Sequence, residues 1–237
     1  MALLAAAGEI LPMPAAGVFA DTGDEASESY EWLDRLTGLL PFPVIRSQYC
    51  RLSDHLRDSL HTEIPTFVRK ADGVVAMGKR QCTRDWKLRE IAKAVRKFTG
   101  TVGKRVEPGT FCQWIGISLD EVYRAKESRE AATVHRFPLL EKRMSRHDCE
   151  RWLNIRGYNV PKSACVYCPF RSRSQWRQSK AKGGDEWGLI LKVSNILATA
   201  GEYLTKDCLP IEQVDFQGDD AGQIDLFKNE CEGMCGV

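Results

Sequence analysis

Ala16-Gly17-Val18-Phe19-Ala20-Asp21-Thr22-Gly23 is the stretch on which the fold turns. Five apolar or small residues in a row, closed by three turn-forming ones, predict a short buried strand that ends at Asp21. Downstream, Tyr30, Leu33 and Leu36 repeat at helical spacing between Glu28 and Leu40, and Pro41 ends that pattern. Pro43-Val-Ile-Arg-Ser47 then predicts a second strand. Two strands joined through a helix run parallel, because a tight turn cannot join parallel strands.

Working outward, Met1 to Ala7 reads as the end of a helix stopped by Gly8. Ser53 begins a short helix to Ser59, followed by a variable loop region to about Lys79. Thr83 is placed to cap a basic helix from Arg84 to Phe98. Phe111-Cys-Gln-Trp-Ile-Gly-Ile-Ser118 is an apolar run of strand length with an acidic helix start at Asp120-Glu121. Val134 to Leu140 holds Pro138 and reads at most as an edge strand. Ser145 with Asp148 marks a helix that ends near Gly157, and Ser172–Ser179 and Glu186–Ala200 are helical. The expectation is an α/β protein with a mostly parallel sheet flanked by helices. Residues 1–140 would form the nucleotide-binding α/β part, 141–216 a helical, cysteine-rich part, and 217–237 a flexible tail.

The chain has 237 residues, enough for one large core, and its 34 basic and 32 acidic residues leave a net charge of +2. Bulk charge therefore names no partner. A local basic run, Arg171, Arg173, Arg177, Lys180 and Lys182, reads either as a solvated helix face or as a contact for a nucleotide or nucleic-acid phosphate. Nine cysteines would mean disulfides in a secreted protein, but the apolar start lacks a basic flank and reads as no secretory signal. No apolar stretch reaches the roughly 18–20 residues that a membrane helix needs. The expectation is a cytoplasmic protein whose cysteines serve a metal or redox centre.

Cys165-Val-Tyr-Cys168 is the densest chemical signal, since a turn lets two thiolates three positions apart face one soft metal. Cys82 opens the basic helix between Arg80 and Arg84, where the helix dipole and both cations favour a thiolate. Cys149 precedes the cysteine pair on its own helix. Cys50, Cys112 and Cys208 carry no motif and read as packing residues. Spacing alone leaves zinc and a four-iron cluster open.

Phe19-Ala-Asp21-Thr22-Gly23 with Tyr30-Glu31 resembles the second-strand signature of the phosphoadenylylsulfate (PAPS) reductase-like family, within the PP-loop ATP pyrophosphatases of the adenine nucleotide alpha-hydrolase superfamily. Gln81-Cys82-Thr83-Arg84-Asp85-Trp86-Lys87-Leu88-Arg89-Glu90-Ile91 is similar to the paired-cysteine motif of members that hold a cluster, and Cys165-x-x-Cys168 to their later pair. Trp114-Ile-Gly-Ile-Ser118 with Asp120-Glu121 and Arg124 resembles a later strand with its substrate-facing arginine. The resemblance implies a Rossmann-like sheet, an adenine nucleotide (ATP or PAPS) contacted by Asp21, Thr22, Gly23, Lys87 and Arg124, and an iron–sulfur cluster, 4Fe-4S, with zinc as the alternative. Gln81 stands where that motif has its first cysteine, so Cys149 is chosen to complete a set with Cys82, Cys165 and Cys168. The family's Ser-Gly-Gly-x-Asp-Ser phosphate loop would lie just before Met1. Its absence leads to the expectation of a start further upstream, or of a remnant.

Glu230-Cys231 is similar to the tail motif that carries a nucleophilic cysteine in sulfonucleotide reductases. Glu232 replaces the motif's glycine, no histidine follows, and flanking carboxylates disfavour a thiolate. Cys231 is thus a candidate nucleophile against which its own neighbours argue. A redox or ligand pair with Cys235, or an inert tail, are the alternatives. The functional expectation is activated-sulfate reduction or, favoured by this tail, ATP-dependent thiolation, with nucleic acid as a possible sulfur acceptor and a protein as sulfur or redox donor. The alternative is a non-catalytic module, stabilised by zinc or a cluster, that binds nucleic acid or a protein partner.

Overall fold

The computed structural model describes residues 1–58 and 63–217. Helix α1 (Ala2–Ala6) stops at Gly8, whose φ of +74° suits glycine. Strand β1 (Gly17–Asp21), helix α2 (Ser27–Leu39) and strand β2 (Val44–Gln48) follow the sequence reading to within a residue or two. The two strands are parallel, with Gly17 opposite Val44 and Asp21 opposite Gln48. A short helix α3 (Leu52–Asp58) comes next.

The region read as a variable loop contains a hairpin. Strands β3 (Phe67–Arg69) and β4 (Val75–Met77) pair antiparallel, and Phe67 faces Met77. Its turn is held by Lys70 N–H to Val74 O (2.9 Å) and by Val74 N–H to the Asp72 carboxylate (3.0 Å). Gly73 supplies the positive φ of +81°. Asp72-Gly73 between two apolar runs is the turn signal that would have marked it.

Thr83 caps nothing. A π-helical turn, Thr83–Leu88, leads directly into helix α4 (Arg89–Phe98), and the Thr83 hydroxyl is buried without a hydrogen bond. Strand β5 covers only Phe111–Trp114, while Ile115 and Ile117 stay buried beyond it. That apolar run recorded burial, and only its first half recorded strand pairing. Strand β6 (Thr133–Arg136) pairs parallel with β5, Phe111 opposite Thr133 and Trp114 opposite Arg136. Pro138 then opens the one-turn helix α5 (Pro138–Glu141).

Ser145 and Asp148 form a reciprocal capping box on helix α6 (Arg146–Ile155), and Ser172 with Gln175 does the same for helix α7 (Arg173–Lys182). Helix α8 (Gly184–Thr199) completes the helical third. Among the described residues the strands form three two-stranded sheets, two parallel and one antiparallel. The architecture is mixed α/β with short parallel pairs and several helices. No described helix is long and apolar enough to cross a membrane.

Two hydrophobic clusters organise the chain. The larger gathers Leu52, Trp86, Tyr167, Trp176, Ile190 and Phe216 among others, and the smaller gathers Leu4, Ala5, Ile10, Phe42 and Leu139. At about 1.5–3 kcal/mol for each large side chain fully removed from water, the larger cluster is the main source of stability. It draws residues from both sides of position 140, so the sheet region and the helical third share a core.

The basic run is tied to neighbouring segments, although Arg177, Lys180 and Lys182 stay exposed. Arg173 pairs with Asp207 (2.6 Å) and reaches the Asp215 carbonyl, and Arg177 donates to the Phe216 carbonyl. Arg171 stacks on Trp176, and Lys182 pairs with Glu28 (2.6 Å). These cations fasten residues 207–216 to α7 and α2 to α7. Much of their charge is therefore committed within the protein.

Candidate functional site

The carboxyl end of β1 is a polar knot inside an apolar setting. Asp21 accepts hydrogen bonds from the Gly23 amide (2.7 Å), the Tyr30 hydroxyl (2.7 Å) and Arg46 Nε (2.9 Å). Its carboxylate is thus occupied by the protein. Burial, reinforced by Asp21, pushes the Tyr30 phenol well above its ordinary range, so it stays a donor. Gly23 has φ +79°, and a β-carbon there would sit 2.5 Å from Gln48 Nε2 and 3.0 Å from Arg51 Cγ. The space above Gly23 is filled by those side chains, which is a packing reason for glycine. Its expected contact with a ribose would require them to move.

Asp24, which the sequence reading passed over, is the anchor. Its buried carboxylate accepts from Arg51 Nε (2.8 Å), the Ser53 amide (2.7 Å), the Ser53 hydroxyl (3.0 Å) and the Tyr167 hydroxyl (2.6 Å). Its own carbonyl accepts Val166 N–H (2.9 Å), next to an antiparallel bridge between Glu25 and Cys165. One acidic residue therefore ties the end of β1, the start of α3 and the cysteine turn together. Its signal in the sequence was a second and third acid, Asp24-Glu25, straight after a buried strand.

Thr22 is fully buried, and its hydroxyl lies 3.1 Å from Cys165 Sγ and 3.3 Å from Glu25 Oε1. Its hydroxyl is engaged by the cysteine and by Glu25, within the protein. Glu25 Oε1 is 3.9 Å from Cys165 Sγ and 3.5 Å from Lys87 Nζ. Lys87 was expected to meet a nucleotide, and here it balances a buried carboxylate. The π-helical turn, a form frequent at functional sites, is what carries Lys87 to that place. Burial first, and the Glu25 charge second, push the Cys165 thiol well above its ordinary value, while Lys87 and Thr22 act the other way.

Cys82 belongs to the same neighbourhood. It packs with Cys165 against the larger core, and a charge on Cys82 is felt at Cys165. Arg80 stacks over Phe170 at 5.3 Å, joining the Cys82 segment to the residues that follow Cys168. Cys168 is folded back by its amide onto the Cys165 carbonyl (3.0 Å). A cavity of about 210 Å³ opens beside it, lined by Ser29, Lys162, Phe170, Arg171 and Gln178 among others.

Cys149 is elsewhere. It packs with the smaller cluster beside Met1 and Trp152, and burial raises its thiol pKa. It shares no core with the other three, because α6 leans on α1 rather than on the cysteine turn. Arg124 pairs with Glu121 at 2.5 Å within a 3-10 turn, Leu119–Arg124. Cys231 and Cys235 lie outside the described residues.

The donor type fits a thiolate-bound metal at Cys82, Cys165 and Cys168. Among the described residues, however, no three Cys, His, Asp or Glu side chains are yet gathered into a common metal shell. Binding would have to draw Cys82 and Cys165, which pack against one core, together with Cys168 at the end of the same turn. No family model, no curated protein and no solved structure matches the chain.

Proposed function

We propose that this protein is a PAPS reductase-like, PP-loop-type enzyme of sulfur or nucleotidyl transfer, with an adenine nucleotide at the carboxyl edge of its parallel strands and a metal centre on Cys82, Cys165 and Cys168. One observation carries the reading. Three segments far apart in sequence, Asp21–Glu25, Cys82–Lys87 and Ser163–Cys168, converge through Thr22–Cys165, Lys87–Glu25 and Ser163–Glu25 contacts. Those are the segments that carry the resemblance. The carboxyl ends of strands are also where open α/β sheets bind ligands, which supports a nucleotide there.

The roles of the residues follow from their surroundings. Asp24 and Tyr167 orient the cysteine turn, Thr22 supplies a hydroxyl to Cys165, and the Lys87–Glu25 pair sets the charge next to it. An iron–sulfur cluster on three thiols would contribute an iron position open to a sulfur ligand. ATP-dependent thiolation is the favoured branch and activated-sulfate reduction the other. Nucleic acid as sulfur acceptor and a protein sulfur or electron donor belong to the same proposal, as does a Rossmann-like arrangement of the paired strands.

Anaerobic purification with iron, zinc and acid-labile sulfide analysis tests the metal part. A brown protein absorbing in the near-ultraviolet and visible, with sulfide matching iron, is expected. A colourless protein with one zinc would remove the sulfur-activation chemistry and leave a zinc-stabilised module. Loss of all metal from wild type with unchanged stability would remove the centre itself.

A further inference from the structure

Two arginines, one midway along β2 and one just past it, are held in an unusual way. Arg46, within β2, donates Nε to Asp21 at 2.9 Å, and Arg51, just past β2, donates Nε to Asp24 at 2.8 Å. The carboxylates are 4% and 0% exposed, while the arginine side chains are 47% and 53% exposed. Each guanidinium is pinned from beneath by a buried acid, with its head reaching solvent. Among the described residues, these Nε bonds are their only hydrogen bonds, so Nη1 and Nη2 of both remain available.

Both heads flank one short turn. Arg46 lies over the Tyr30 ring at 4.7 Å, and Tyr30 in turn donates to Asp21. Arg51 packs its stem over Gly23, whose amide is bonded to Asp21 as well. Fixing a guanidinium in advance lowers the entropy lost when it binds an oxyanion, and its planar fork suits phosphate or sulfate better than an ammonium does. The position is the carboxyl edge of parallel strands, the ordinary ligand side of such sheets.

We propose that Arg46 and Arg51 form an oxyanion clamp for the phosphate or sulfate group of a small nucleotide. The clamp rests on the geometry, and the nucleotide as its ligand rests on the function proposed above. A purely structural role, neutralising Asp21 and Asp24, needs only positive charge at these positions. A clamp needs the fork. Lysine substitutions separate the two.

The experiment is calorimetric titration of wild type, Arg46→Lys, Arg51→Lys and the double variant with ATP, and separately with sodium sulfate, with Arg151→Lys on α6 as control. Each single variant should weaken ATP binding about tenfold, and the double variant about a hundredfold, with the control unchanged. In parallel, phenylglyoxal labelling of wild type, mapped by mass spectrometry, should show Arg46 and Arg51 protected by ATP. That measurement stands even where a variant fails to fold. Equal affinity in a folded double variant, or no protection in wild type, overturns the clamp. Sulfate binding that depends on both arginines, without ATP binding, upholds the clamp and removes the nucleotide reading. Binding of neither ligand at millimolar concentration overturns it. So does arginine-dependent binding of a single-stranded oligonucleotide alone.

Discussion

At the scale of single residues, Thr22 and Asp24 do different work from what their place in a turn suggests. The Thr22 hydroxyl donates its one proton to Glu25 Oε1 and can accept from the Cys165 thiol. Replacing it by valine keeps the shape and leaves both groups without that partner, which costs about 1–3 kcal/mol for buried polar atoms. Thr22→Val should therefore lower the urea midpoint clearly, and Thr22→Ser should not. Equal midpoints for valine and wild type would mean the hydroxyl contributes nothing there. Asp24 is the larger case, since Asp24→Asn removes a buried charge from beneath Arg51. A loss of about 3–5 kcal/mol is expected by denaturation, as for a broken buried ion pair, against about 1–2 kcal/mol for Tyr167→Phe. The half-exposed Arg51 places Asp24→Asn at the lower end of that range. Beyond the acids Asp24-Glu25 after a buried strand, none of this was legible from residue types. Asp21, Thr22 and Gly23 pointed to the carboxyl end of β1, but turn residues look alike whether they contact a ligand or each other.

At the scale of elements, local chemistry was readable and non-local chemistry was not. The capping boxes at Ser145 and Ser172 follow from neighbours three residues apart, and the structure forms both. Helix α2 lacks any such signal, because its cap comes from another helix. Glu186, in the first turn of α8, accepts from the Ser27 amide (2.8 Å) and the Ser27 hydroxyl (2.7 Å). Partial burial by itself would raise the Glu186 pKa, yet the Ser27 bonds and Lys182 hold it below the ordinary carboxylate value. With the folded pKa depressed, this contribution is full above the unfolded value and is lost as pH falls through the folded one. Stability should thus drop as pH falls below the ordinary carboxylate value and through the depressed folded one. Glu186→Gln should cost about 1 kcal/mol at neutral pH and flatten that part of the acid profile. Thermal melts from pH 7 to pH 3 check it, and an unchanged slope in the variant would show that α2 takes its start from elsewhere.

At the scale of the whole molecule, three cysteines and the main core are one problem. The order of motifs along the chain predicted that Cys82 and Cys165 would meet; both pack against the larger core, where a charge on Cys82 acts on Cys165. The same reading added Cys149 because it is near the pair in sequence, whereas helix direction carries it into the smaller cluster. Sequence proximity is a poor guide to which side of a helix faces which core. The consequence is thermodynamic. A metal that binds the folded chain stabilises it by about 2.7 kcal/mol at a hundred times its dissociation constant, and the gain appears wherever its ligands sit. Because Cys82 and Cys165 pack against the larger core and Cys168 closes the same turn, metal should raise the unfolding midpoint of that core. Anaerobic denaturation with and without added iron and sulfide, or zinc, should show this gain in wild type and in Cys149→Ser. It should vanish in Cys82→Ser, Cys165→Ser and Cys168→Ser. If Cys149→Ser loses the gain as completely as Cys165→Ser, the metal must join both cores, and the separation of Cys149 from the cysteine turn does not survive metal binding.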